Sequence, residues 1–299
     1  MSSSATPASR PGHRTAKPRV GRSGASTARR RTRRWAAAGA VLGGMVSLIV
    51  FAPASWLATA LAKASQGHVL LAETQGSVWS GSGVLVLAGG ADSRDAARLP
   101  DRLEWQLRPR WDGLLLEARQ PCCIRDTLSL ALRPGLGRFT IALADASSPA
   151  ATPAEAPWQA RWPAALLAGL GTPWNTLQPA GSLRLASAGF AMEWAQGRWR
   201  QSGRLQLELL ELSSRVANVA PLGSYRLTLA AEPGQEGVSS LQLQTLAGAL
   251  QLSGQGSLSA GRARFNGVAQ AAPEHQAGLD NLLNIIGRRD GSRSLISIG

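Results

Sequence analysis

Beyond residue 65 the chain alternates between apolar and polar positions. In LEWQLRP, Leu103, Trp105 and Leu107 fall on one face of a strand, and Glu104, Gln106 and Arg108 on the other. The same period of two recurs in TLSLALRPG, GRFTIALAD, GSLRLASAG, GRLQLELLEL, GSYRLTLAAE, SLQLQTLAG, ALQLSGQGSLS and ARFNGVAQ. That amounts to about ten short strands, separated mostly by Gly, Pro or Ser. In GSVWSGSGVLVLAG, Val78, Trp79 and Val84 to Leu87 surround a Gly-Ser-Gly break, which predicts a hairpin. The spacing predicts a mainly β protein, an antiparallel meander rather than alternating β and α.

Two sheet-like blocks, about 66–145 and 180–272, flank a Pro- and Ala-rich linker, 145–161. Two short helices interrupt the β pattern. Ala164 to Leu170 places Leu166, Leu167 and Leu170 on one face and is ended by glycine; two turns are stable only when docked on a sheet. Near the C-terminus, Leu279, Leu282, Leu283 and Ile286 recur at i, i+3, i+4 and i+7, and Gly287 stops the helix. A last alternating strand, Ser294 to Ile298, completes a helix–strand unit over 276–298 that is expected to cap an open end of the sheet.

The N-terminus follows a different pattern. Residues 1–34 hold ten basic and no acidic residues in a Ser/Ala/Pro/Gly-rich tail, expected to be disordered and cytoplasmic. Arg29, Arg30, Arg31, Arg33 and Arg34 abut an uncharged stretch, 35–62, that predicts one transmembrane anchor with Trp35 and Trp56 near the two interfaces. Ala60-Leu61-Ala62 has the form of a signal-peptide cleavage site, but the apolar run exceeds a usual signal core of about 7–15 residues. Residues 63–299 are then a periplasmic β-rich domain behind a single inner-membrane pass. The formal charge of +14 would suggest nucleic acid, yet ten of those charges lie in the tail, so no nucleic-acid partner is expected.

Candidate chemistry is sparse. Cys122 and Cys123 are adjacent; on a strand they would face opposite ways as independent thiols, while an oxidising compartment allows a disulfide within the pair or to another chain. His13, His68 and His275 have no second ligand at metal spacing, and Glu274 beside His275 is a weak acid/base candidate. The chain is expected to be no enzyme and to need no cofactor or metal.

Five segments then carry a resemblance: GSVWSGSG (Gly76 to Gly83), LEWQLRP (Leu103 to Pro109), LLAGLGTPWNTLQPAG (Leu166 to Gly181), PLGSY (Pro221 to Tyr225) and LLNIIGRRDG (Leu282 to Gly291). In this order, behind a basic tail and an apolar run, they resemble the type II secretion system protein N family. The resemblance implies an accessory inner-membrane subunit of the apparatus that exports folded periplasmic proteins, with a periplasmic domain similar to AsmA-like lipid-groove folds. It supplies no catalytic residues. A sheet with one apolar face that curls without closing leaves a groove for a lipid tail or a partner strand. The expected role is therefore scaffolding, with other secretion subunits and the membrane as partners; AsmA-like lipid binding or transfer is the alternative, and a periplasmic hydrolase a third. Pro173, Trp174 and Asn175 form the candidate interface, since Pro173 stiffens the chain and Trp174 offers a large rigid contact. The other reading of Trp174 is that it pins its loop onto its own sheet.

Overall fold

The computed structural model describes residues 25–143, 158–232, 234–235, 237–259 and 262–299. Most of the basic tail and of the 145–161 linker therefore lies outside the described residues. The chain divides into two units, Met1–Phe51 and Ala52–Gly299.

Among the described residues the first unit contains one helix, α1 (Ala25–Val50). Its charge-free part, Trp35 to Val50, is about 16 residues or roughly 24 Å, less than a hydrocarbon core of about 30 Å. Among the described residues no helix is long and apolar enough to cross a membrane. The single helix expected over 35–62 is in fact two. The chain breaks at Phe51–Pro53, and a second helix, α2 (Ala54–Ala64), belongs to the other unit. The reason is local. Pro53 has no N–H to continue a helix, and Ala54, Leu57, Ala58 and Leu61 form an i, i+3, i+4, i+7 stripe that packs on Leu71, Leu85 and Trp105.

The second unit is built on one antiparallel sheet. Its strands are β1 (Val69–Gly76), β2 (Ser80–Ala88), β3 (Ala96–Arg98), β4 (Leu103–Arg110), β5 (Gly113–Arg119), β6 (Leu128–Gly135), β7 (Arg138–Leu143), β8 (Trp158–Pro163), β9 (Pro179–Ala195), β10 (Arg198–Ser214), β11 (Gly223–Ala231), β12 (Val238–Ala247), β13 (Leu250–Ser259), β14 (Arg262–Ala271), β15 (Arg288–Asp290) and β16 (Arg293–Ile298). The order across the sheet is β1-β2-β4-β5-β6-β7-β9-β10-β11-β12-β13-β14-β16-β15, with β3 on β2 and β8 on β9. The path has two ends and does not close. The two predicted blocks meet at β9, whose first half pairs with β8 and whose last five residues pair with β7.

Three local readings change. The predicted hairpin turns at Ser77–Trp79 rather than at Gly81-Ser82-Gly83, which lies inside β2. There Gly81 sits against the Trp105 ring and Gly83 against Leu71, so these glycines make room for large side chains on neighbouring strands. Residues 158–161, expected in the linker, open β8. The helical patch at Ala164–Leu170 is a 3-10 helix with Leu166 buried, followed by a one-turn helix, α3 (Trp174–Leu177). The C-terminal helix, α4 (Gln276–Ile286), buries Leu279, Leu282 and Leu283 at 0–2% exposure against Leu222, Leu250 and Ala269.

Candidate functional site: an apolar cleft in the open sheet

Alternation along each strand, carried across by the ladder register, puts a continuous apolar surface on one face of the second block. Leu185, Leu207, Leu227 and Leu243 stand in register on β9 to β12 and continue onto Gly254, Gly267 and Ile296. The next row runs from Leu205 through Leu229, Leu241, Gly256 and Phe265 to Ile298. The glycines serve the aromatic: a side chain on Gly254 or Gly267 would run into the Phe265 ring. The opposite face is polar, and Glu208 there accepts Arg226 at 2.8 Å and Arg184 at 3.5 Å across two ladders.

Over the apolar face lies a cleft of about 480 Å³, bounded by Leu282, Ile285 and Ile286 of α4 on one side and by Leu167, Trp174 and Leu177 on the other. Few polar groups reach it. The Tyr225 phenol is held above its ordinary titration range by burial, so it stays protonated, and it donates to the Leu250 carbonyl at 2.9 Å. The cleft therefore has the chemistry of an apolar binding surface: hydrocarbon walls, no free charge, and its phenol already engaged.

Pro173, Trp174 and Asn175 come together at the rim of this cleft. Pro173 and Trp174 line it, and Trp174 is half-buried. Asn175 points away, donating from Nδ2 to Asp95 Oδ2 at 2.9 Å, which ties the segment to the β2–β3 turn. Cys122 and Cys123 lie elsewhere and are joined to each other. Their loop is held to β8 by the Arg161 N–H donating to the Cys123 carbonyl and the Arg125 N–H to that of Gln159. Glu274 and His275 form the entry to α4, where the His275 N–H donates to the Ala272 carbonyl. Among the described residues no three His, Cys, Asp or Glu side chains gather as a metal site would require.

The alternation did signal the leucine rows. The helical stripes signalled that α4 and the 164–170 helix dock on the sheet, but not that the two close over these leucine rows, because the pairing of distant residues leaves no mark on the period of either.

Among known proteins, no curated protein matches the chain and no solved structure matches it, so the expected AsmA-like relationship gains no support there. The sequence model of the family described as type II secretion system (T2SS), protein N, matches residues 67–295, from just before β1 to the middle of β16. The chain belongs to the type II secretion system protein N family.

Proposed function

We propose that the protein is an accessory, inner-membrane-anchored subunit of the type II secretion system that acts as a scaffold in the export of folded periplasmic proteins. The family match over 67–295 is the observation that carries the reading. Two features of the first unit support the anchor. The basic run, Arg29 to Arg34, lies in the first part of α1 directly ahead of its charge-free stretch, and Val41, Leu42, Met45, Val46, Ile49 and Val50 are each at least half exposed. A helix a few ångströms short of the hydrocarbon thickness costs only fractions of a kcal/mol per ångström of mismatch. The periplasmic surface that meets other secretion subunits is the cleft rim at Pro173, Trp174 and Asn175.

The test is deletion and complementation with the full chain. Export of folded substrates to the medium should fall on deletion and return with the wild-type gene. Cross-linking should recover identified inner-membrane or periplasmic secretion subunits on a tagged chain. A phosphatase fused after Gly299 should be active, and one fused before Arg34 inactive. Undiminished export with no secretion subunit recovered would sink the scaffold role, and the reverse fusion pattern would sink the topology.

Lipid binding is the second reading, and the apolar lining of the cleft favours it. Organic extraction of the purified full chain followed by mass spectrometry should then yield a stoichiometric lipid, lost in Leu227→Glu. Extracts empty of lipid, together with no uptake of an acyl-chain probe, remove this reading.

A further inference from the structure

The turns at one end of the sheet form a row with unusual side chains. Along the path from β1 to β10, every second connection lies at this end: Ser77–Trp79, Trp111–Asp112, Leu136–Gly137 and Gln196–Gly197. Successive turns are two strands apart, about 10 Å, so the row is roughly 30 Å long. The register keeps the last two level, since Gly135 pairs with Arg138, and Arg138 in turn with Ala195; the first turn stands about five residues, or ~17 Å, behind the Leu136 tip, because Trp79 is level with Leu107 and Gly113 with Arg133.

Large apolar groups stand exposed at the tips of this row. Trp111 is 94% exposed, and Leu136 is fully exposed. Trp194 and Trp199 face each other across the β9–β10 hairpin just below its turn, at 40% and 43% exposure. Arginines flank the same tips: Arg108, Arg110, Arg133, Arg138, Arg198 and Arg200, all exposed. The acids beside them are Asp112, Glu117 and Glu193. Asp112 is held by Arg133 at 2.9 Å and Arg110 at 3.5 Å, and Glu117 by Arg108 at 3.4 Å. Six guanidinium groups against three carboxylates leave the row positive.

A second, independent observation concerns where the chain enters the unit. Ala52 and Pro53 are fixed to the first of these turns: the Val78 N–H donates to the Ala52 carbonyl at 2.9 Å, and Pro53 bridges Ser77. The chain thus enters this unit, at Ala52, at the same end as the exposed tryptophans. The turn after β11, which follows Glu232, is set back. Ala230 pairs with Arg204, about seven residues or ~20 Å below the β9–β10 tip.

We propose that this row of turns, Trp111, Leu136 and the Trp194–Trp199 pair with their flanking arginines, is a docking rim for the surface of an anionic lipid bilayer. Indole rings favour the headgroup level, and guanidinium groups add attraction to anionic headgroups. Protein partners select a different pattern, a contiguous patch of about 800 Å² around packed pockets. Isolated apolar tips spaced ~10 Å apart, each ringed by cations, fit a fluid surface that yields around each tip. The inference does not depend on the secretion-system reading, since it uses only turn chemistry and the point of chain entry.

The test places an environment-sensitive fluorophore on Leu136→Cys in the full chain and, as control, on Asp92→Cys, in the turn after β2 at the opposite end. Cys122 and Cys123 are joined to each other and do not compete for label. Melting curves matching the unlabelled chain confirm the fold. With phosphatidylglycerol-containing vesicles, the label at 136 should shift to the blue and be quenched by brominated acyl chains, while that at 92 stays aqueous. Each of Arg138→Gln and Arg198→Gln should shift the docked fraction about fivefold toward the undocked state, the equivalent of ~1 kcal/mol per cation at an anionic surface. A label at 136 that stays aqueous on these vesicles overturns the proposal. Shielding that appears only when membrane proteins are present overturns it equally, in favour of a protein partner.

Discussion

Asp112 sits in the turn between β4 and β5, with two guanidinium groups against its carboxylate. The hydrogen bond from Arg133 is the largest influence and lowers its titration; partial desolvation opposes it, while its own backbone N–H and the charges of Arg110 and Arg133 reinforce the lowering. A carboxylate depressed in the folded state stabilises the fold above its unfolded-state value, about 3.9, and that contribution is lost as pH falls through the folded value. Carbon-detected NMR should place the Asp112 midpoint below that of free aspartate and move it upward in Arg133→Gln; an unmoved midpoint would remove Arg133 as the cause. None of this was legible in the sequence, because Arg133 is 21 residues away and reaches Asp112 only through the β5–β6 ladder. The glycines were half legible. Gly254 and Gly256 fall within the alternating run ALQLSGQGSLS and do lie inside β13, but that run does not show that Gly254 meets the Phe265 ring. Gly254→Ala should cost about 1–3 kcal/mol by overpacking, and combination with Phe265→Leu should recover much of that loss. Thermal unfolding of the two single variants and the double variant decides it; simple additivity would mean that ring and glycine are not coupled.

At the scale of elements, α4 was fully visible in the sequence and α2 was hidden, for one physical reason. The α4 stripe of Leu279, Leu282, Leu283 and Ile286 stands out against polar neighbours such as Asp280, Asn281 and Asn284. The α2 stripe of Ala54, Leu57, Ala58 and Leu61 has the same spacing, but it follows a long apolar run and is surrounded by alanine and tryptophan, so its period has no contrast. Pro53 was the one mark of the boundary. The two assignments predict different outcomes for Leu57→Ala with Leu61→Ala. In a lipid-embedded span both substitutions would leave the β unit untouched. Packed on Leu71 and Trp105, each half-buried leucine should cost about 1–2 kcal/mol. For a unit of this size that is a fall of roughly 4–16 °C for the pair. A melting temperature unchanged in the double variant would return α2 to the membrane anchor.

For the whole molecule, hairpin neighbours were legible and the joining of the two blocks was not. Each hairpin announces itself as two alternating runs around a turn, whereas the β7–β9 pairing brings Arg138 to Ala195 across β8, the 3-10 helix and α3. Those intervening residues hold the blocks together on a second side. The 3-10 helix carries Gly169 against the backbone of Leu87 and Ala97, and Asn175 reaches Asp95, while Trp174 faces the cleft of the other block. Residues 164–177 are thus a strap between the blocks, with one tryptophan half-exposed on its free side, and this gives the two roles of Trp174 different signatures. As a pin, its ring is packing, and Trp174→Ala should behave as a core truncation of about 3–5 kcal/mol. As a contact for another secretion subunit, it loses only its half-buried share, about 1–2 kcal/mol, while binding loses a central aromatic anchor worth about 2 kcal/mol or more. The proposed scaffold role requires the second outcome: a melting temperature lowered by roughly 2–8 °C, with recovery of cross-linked secretion subunits reduced at least tenfold. The control is Asn175→Ala, which removes the Asp95 bond and costs about 1 kcal/mol of stability but leaves the tryptophan in place. If Asn175→Ala and Trp174→Ala lower recovery in proportion to their melting temperatures, the strap acts through stability alone and the interface lies elsewhere on the sheet. If recovery collapses only when the indole is removed, Trp174 is the point at which this protein grips its partner.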